Sequence, residues 1–403
     1  MFKKFFLLLM VLGFLASCGQ QSKEQKLLYT SEDVHKEVVI GTNDFGFQML
    51  RKIKETDQNS LISPLSISLA LAMTVNGADG DTKEAMLDAM QLIGISLDEV
   101  NQSYQAITNM MKYTDPKVQL SIANSLWGRE DKSFNDEFVA KAMDFYEAKL
   151  TLLDFQAPTA SKTINNWVKE KTEGKIEGIV EDEIDRDTVL FLINAIYFHS
   201  DWKNQFDKNR TIEKDFFPSN GKQQKVKMMV NDGDYQYFEN EIVEGIRLPY
   251  GEGRMVMDVF LPREGMNQFL EELTINEWEN MLTSFEMKNG YFELPRFTFE
   301  YEESIKNVLK ALGMEIAFDE QKANFGKIAP IPPNLYISDV LHKTFIEVNE
   351  EGTEAAAVTS VEIKEESAPM FDFHMEVNRP FLFIIQDLET GIILFIGVTE
   401  EIN

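Results

Sequence analysis

Catalysis needs nucleophiles, paired acids or metal ligands at workable spacing, and this sequence holds few of them. There is one cysteine, Cys18, which excludes an intrachain disulfide and a cysteine-rich zinc site. The four histidines, His35, His199, His342 and His374, lie far apart and show no metal-ligand spacing. No glycine-rich phosphate loop, G-x-S-x-G elbow or H-E-x-x-H helix is present. Acidic runs such as Glu181-Asp182-Glu183 offer neighbouring carboxylates, but among 67 acidic residues a solvated charge run is the simpler reading. With 39 Lys and Arg the net charge is −28, which argues against a nucleic-acid partner, because such a partner needs a basic face. Neither an enzyme nor a cofactor or metal protein is expected.

The residues that remain informative lie near the two ends of the chain. Lys3 and Lys4 precede an apolar run, Phe5 to Leu15, that suits a signal-peptide core and is too short to span a bilayer. Leu15-Ala16-Ser17-Cys18-Gly19 resembles the bacterial lipoprotein cleavage box, in which the cysteine becomes the acylated first residue. The expectation is a signal peptide over 1–17, a lipidated Cys18 with a polar tether over 18–36, and a folded domain over 37–403. Acyl chains contribute about 0.8 kcal/mol per buried CH2, enough to hold an exported protein on the bacterial cell envelope.

Near the C-terminus, Ile337 to Val348 alternates as a strand with Val340, His342, Ile346 and Val348 on one face. Then come Glu350-Glu351-Gly352-Thr353-Glu354-Ala355-Ala356-Ala357-Val358. Consecutive alanines are unusual for an exposed loop, where turn residues and larger polar groups dominate. They suit a segment that must slide between two existing strands. A helical alanine-rich turn on a surface loop is the competing reading. Val361 to Pro369 is polar and varied, like a displayed bait.

The elements that would position this segment read as one mixed α+β domain, with no linker or repeat after Lys36. Ser63 and Pro64 start a helix that is apolar nearly all round through Val75, hence buried. Val189 to Phe198 suits a strand buried on both faces, in which Asn194 must find hydrogen-bond partners. Phe381–Ile385 and Ile392–Val398 form a hairpin pattern around Thr390-Gly391.

Taken in order, Asn59–Ile67, Leu192–Phe198 with Trp202, Leu294–Phe297, Glu350–Val358, and Asn378–Phe381 with Phe395–Gly397 resemble the signature motifs of the serpin family, over essentially residues 37–403. The resemblance implies three β-sheets with a large central sheet A, eight or nine helices and an exposed reactive loop at about 350–376. It implies a monomeric suicide inhibitor of serine proteases, and also of cysteine proteases. The enzyme is trapped as an acyl-enzyme when the cleaved loop inserts into sheet A. The runner-up is a non-inhibitory serpin-fold lipoprotein whose loop is only cleaved. By resemblance, Glu350, Gly352, Thr353, Glu354, Ala355, Ala356, Ala357 and Val358 form the hinge. Ser63, Ser66, Asn194 and His342 form the shutter, and Trp202, Arg296 and Glu350 the breach. Strand alternation turns Glu354 outward while Thr353 and Ala355 face inward.

Family spacing places the scissile residue about sixteen beyond Glu350, at Glu366, with Ser367 following. Counting back from Asn378 gives Pro369, so the loop is about three residues longer than the usual pattern. The hinge count favours Glu366–Ser367 and a glutamate-preferring protease. Lys364 would suit a trypsin-like enzyme and Ser367 or Ala368 an elastase-like one, with Met370 and Phe371 as further options.

Overall fold

The computed structural model describes residues 27–53, 58–113, 115–181, 183–184, 188–332, 334–353 and 370–402. Among them are nine α-helices: α1 Lys36–Ile53, α2 Pro64–Val75, α3 Gly80–Ala89, α4 Leu97–Tyr113, α5 Asp136–Tyr146, α6 Ala160–Lys171, α7 Met266–Glu272, α8 Ile275–Thr283 and α9 Lys306–Leu309. The strands are β1 Ser60–Ile62, β2 Val118–Arg129, β3 Lys149–Leu153, β4 Leu190–Asp201, β5 Ile212–Phe216, β6 Gln224–Glu239, β7 Val243–Pro249, β8 Met255–Pro262, β9 Glu286–Pro295, β10 Phe297–Ser304, β11 Asp339–Val348, β12 Gly352–Thr353, β13 Phe373–Glu376, β14 Phe381–Asp387 and β15 Ile393–Thr399.

The mixed α+β class holds. The ladders join into a six-stranded sheet, β10-β11-β12-β4-β2-β3, and a nine-stranded network, β1-β15-β14-β8-β7-β6-β9-β13 with β5 on β6. Two continuous networks stand where three sheets are implied, because the 16-residue β6 is shared. It pairs with β5 at its start, with β9 along its middle and with β7 at its end.

Helix α2 is the buried helix that the sequence predicts. The Ser63 hydroxyl accepts from Ser66 N at 3.2 Å, Pro64 occupies the first turn, and every residue from Pro64 to Val75 is buried. It packs against β4 and β15. β4 is buried along nearly its whole length, as its apolar run requires. The C-terminal hairpin forms as β14 and β15, with Gly391 in the left-handed region at φ 76°. A second, smaller core lies under α6, where Trp127 and Trp167 meet edge to face at 6.0 Å.

The tether expectation needs correction at its C-terminal end. Residues 27–35 lie against α4: Leu28 N donates to Asn109 Oδ1 at 2.8 Å, Tyr29 Oη to Gln105 Oε1 at 2.9 Å and His35 N to Ser103 Oγ at 3.0 Å. Tyr29 and Val34 pack against the main core. Two apolar side chains in a polar stretch are enough to dock it, and composition alone hides them. No helix among the described residues is long and apolar enough to cross a membrane.

Candidate functional site

The start of the alanine-rich segment lies inside the six-stranded sheet. β4 and β11 run parallel and pair directly from Phe191–Asp339 to Tyr197–Phe345. Beyond that point β12 enters between them, antiparallel to both, with Thr353 opposite Val348 on one side and Ser200 on the other. The turn from β11 into β12 is held tightly. Asn349 N donates to Gly352 O at 2.9 Å, and Asn349 Oδ1 accepts from Glu351 N at 3.0 Å. Trp202 contributes its backbone N–H to Glu351 O at 2.8 Å and its indole Nε1 to Asn349 O at 2.9 Å.

Gly352 permits the close approach to β4, because a Cβ there would stand 2.1 Å from Ser200 O. Gly352→Ala is therefore expected to expel β12 from the sheet. Proteolysis at the base of the loop should then quicken several-fold, and an unchanged digestion rate would contradict the requirement for glycine. Thr353 is fully buried, and its hydroxyl pairs with that of Tyr250 at 2.8 Å.

Below β12, Ser63, Ser66, Asn194 and His342 converge where β4, β11 and the start of α2 meet. Ser63 N donates to His342 Nε2 at 3.2 Å. That ring nitrogen is thus an acceptor, so the proton sits on Nδ1, which donates to Asn194 Oδ1 at 2.7 Å. The Asn194 amide donates in turn to Ser66 O at 2.8 Å and Asn124 Oδ1 at 2.7 Å. Burial, with no charged partner, pushes the His342 pKa down to about 3, so the imidazole is neutral at pH 7. The His342–Asn194 bond crosses the junction that a new strand would have to open.

Above β12, Glu350 is 1% exposed and accepts from Arg296 Nε at 2.8 Å. The Thr211 hydroxyl bonds the same carboxylate, and Phe206 N donates to Glu350 O at 2.9 Å. Lys208 pairs with Glu351. Arg296→Met would leave a buried carboxylate with only the Thr211 side chain, which costs about 1–3 kcal/mol. A lowered melting temperature, partly recovered by adding Glu350→Gln, is the expected result; additive losses would show that the two groups act separately.

Trp202, Arg296 and Glu350 therefore gather at one end of the β4–β11 junction, and the two serines, Asn194 and His342 gather along it. Cys18, Glu354, Ala355, Ala356, Ala357, Val358, Lys364, Glu366, Ser367 and Ala368 lie outside the described residues. Both ends of the 350–376 segment belong to sheets, through β12 and through β13 on β9. Sequence reading missed Tyr250, Asn124, Thr211 and Lys208. None carried a local signal; Tyr250, between Pro249 and the Gly251-Glu252-Gly253 turn, reads as an ordinary loop tyrosine. Among the described residues no group of three or more His, Cys, Asp or Glu is placed to hold a metal ion.

A family model described as Serpin (serine protease inhibitor) matches residues 41–401. The chain belongs to the serpin family. An uncharacterized serpin-like protein of Methanosarcina acetivorans is 35% identical over 372 residues, covering 91% of this chain and 86% of its own. Antithrombin-III of sheep (Ovis aries) is 33% identical over 367 residues, covering 87% and 78%. Among solved structures, the thermophilic serpin tengpin in its native state matches with a TM-score of 0.86 at 36% identity, covering 92% of this serpin and 95% of tengpin. Serpins are usually protease inhibitors rather than catalysts.

Proposed function

We propose that this serpin is a suicide-substrate inhibitor of serine proteases. The observation that carries the reading is β12, which already occupies the gap between β4 and β11 at one end while the two strands pair directly below it. A protease serine attacks the carbonyl of Glu366. The Glu366–Ser367 amide breaks, the Ser367 amine leaves with a proton, and an ester joins enzyme to loop. The freed strand then continues β12 between β4 and β11. In the register begun at Thr353 it replaces one parallel ladder with two antiparallel ones, which are slightly more stable per residue. Insertion carries the ester-linked enzyme away before water can complete hydrolysis.

The far end of the loop supports Glu366–Ser367 over bonds nearer β13. Asp372 N donates to Asn289 O at 2.7 Å, Asn289 N donates to Asp372 Oδ2 at 3.1 Å, and the Phe371 ring lies 6.0 Å from that of Tyr291. A protease must grip several residues beyond the bond it cuts, and those after Met370 are tied down, whereas Met370 is 96% exposed. Lys364 and Ala368 are the alternative sites. The N-terminal motif supports export and lipidation at Cys18, which would tether a monomeric inhibitor to the bacterial cell envelope. There it would meet its target serine or cysteine proteases.

The test mixes residues 19–403 with glutamyl, trypsin-like and elastase-like proteases. A band at the summed mass that survives denaturation is expected, with a released peptide beginning at Ser367. Clean cleavage with full protease activity remaining would overturn the inhibitor reading and leave a serpin that is only cleaved.

A further inference from the structure

The alanines of the hinge do not choose their own register. Ala355-Ala356-Ala357 fits either face of a sheet, and a one-residue slip exchanges the faces of everything that follows. Continued from β12 by alternation, Thr353, Ala355, Ala357, Thr359, Val361 and Ile363 share the buried side, with Glu365 beside the cleaved bond the one charge among them, and Glu354, Glu362 and Lys364 face solvent. Slipped by one residue, it would bury those three charges. The choice must be made at the first hinge residue, by something that does not move.

Gly352 has no side chain with which to make it. Thr353 does, and its hydroxyl meets that of Tyr250 at 2.8 Å. Tyr250 is fully buried and fixed on several sides. Its ring stacks on Trp202 at 4.2 Å and 12°, and meets Phe198 edge-on at 5.2 Å. Its N–H donates to Met255 O at 2.9 Å. Trp202 is itself tied to Asn349 and Glu351 in the turn that feeds the hinge. Burial holds the Tyr250 phenol far above its usual range, so it keeps its proton and remains a neutral hydrogen-bonding partner.

We propose that Tyr250 is a positioning residue of the inhibitory reaction: its hydroxyl pins Thr353 at the head of the gap between β4 and β11 and so fixes the register in which the cleaved loop inserts. This rests on the loop-insertion reading above. The pin acts before the protease arrives, which allows the strand to be drawn in without searching for its alignment while the acyl-enzyme is exposed to water.

Tyr250→Phe removes the hydroxyl and keeps the ring. The readout is the number of inhibitor molecules cleaved for each protease trapped, measured beside the melting temperature and the rate of loop cleavage. The expected result is about a fivefold rise in that number, the factor a single hydrogen bond commands, with the cleavage rate unchanged. Thr353→Val should match it, Thr353→Ser should behave as wild type, and the double variant Tyr250→Phe/Thr353→Val should be no worse than either single one. A merely structural tyrosine would lower the melting temperature without changing that number, and would leave Thr353→Ser no better than Thr353→Val. A wild-type number for Tyr250→Phe, additive losses in the double variant, or a Thr353→Ser protein as poor as Thr353→Val would overturn the pin. If wild type traps no protease, the inhibitor reading fails by itself, and the pin is read on nicked protein. A smaller rise in melting temperature on nicking for Tyr250→Phe than for wild type would uphold the pin, and equal rises would overturn it.

Discussion

Thr353→Arg is expected to convert the inhibitor into an ordinary substrate. The Thr353 side chain is fully buried, held between Ser200 on β4 and Val348 on β11 with the Tyr250 hydroxyl against it. An arginine there has no carboxylate to meet, and an unpaired buried guanidinium costs several kcal/mol. The chain has an easier course, which is to leave β12 outside the sheet. The native protein therefore loses only a two-residue strand, whereas the cleaved loop loses its point of entry. If insertion is opposed by about 3 kcal/mol, the partition between trapping and hydrolysis moves by about two orders of magnitude. Denaturing gels should show the loop cut at the wild-type rate, no covalent band, and protease activity fully recovered. The cleaved variant should also lack the gain in thermal stability that a completed sheet confers. A Thr353→Arg protein that still forms the covalent band would show that insertion does not begin at this residue, and the mechanism would have to be abandoned for this serpin.

The parts of this site that were legible in the sequence share a physical property: each imposes a local pattern. An apolar helix with Ser63 and Pro64 at its start, a long buried strand interrupted by Asn194, and a run of small residues after Val348 each violate the ordinary expectation for their surroundings, and each violation points to a place in the fold. The partners of those residues obey no such rule. Asn124 lies in the middle of β2 with Ser and Ala neighbours, and nothing in the sequence announces that its side chain accepts from Asn194. Thr211 and Lys208 reach Glu350 and Glu351 across more than 130 residues of chain, contacts that only the pairing of β5, β6 and β9 brings about. The docked segment 27–35 failed for the opposite reason. Its polar composition is real, and two side chains, Tyr29 and Val34, outweigh it once a groove beside α4 is there to receive them. Pairwise contacts at long range are decided by topology, and a single sequence carries topology only through its motifs.

Acidification is expected to loosen the native sheet through His342, and the sign can be worked out. In the unfolded chain the imidazole titrates near 6.5, whereas in the native protein burial holds it at about 3. Between those values the unfolded chain binds a proton that the native protein does not, so native stability is fully present above pH 6.5 and declines as pH falls toward 3. The difference amounts to about 2 kcal/mol by pH 5 and about 4–5 kcal/mol by pH 3. No carboxylate faces the ring to offset a positive charge; its hydrogen-bond partners are Ser63 N and Asn194 Oδ1. Protonating Nε2 would turn the acceptor for Ser63 N–H into a second donor and force the two apart. That strain falls between the start of α2 and β11, because Nδ1–H still donates to Asn194, so acid should loosen the packing of α2 over the β4–β11 junction ahead of global unfolding. The measurement is the melting temperature and the rate of loss of inhibitory activity of uncleaved protein from pH 7.5 to 5, for wild type and for His342→Gln, which retains an amide donor and acceptor but cannot be protonated. The variant should be less stable at pH 7.5, because its longer amide cannot serve Ser63 and Asn194 equally well. Its stability should change less than that of wild type between pH 6.5 and 5, where carboxylates contribute little. Parallel pH profiles for the two proteins would place the acid sensitivity elsewhere and remove His342 from control of the junction.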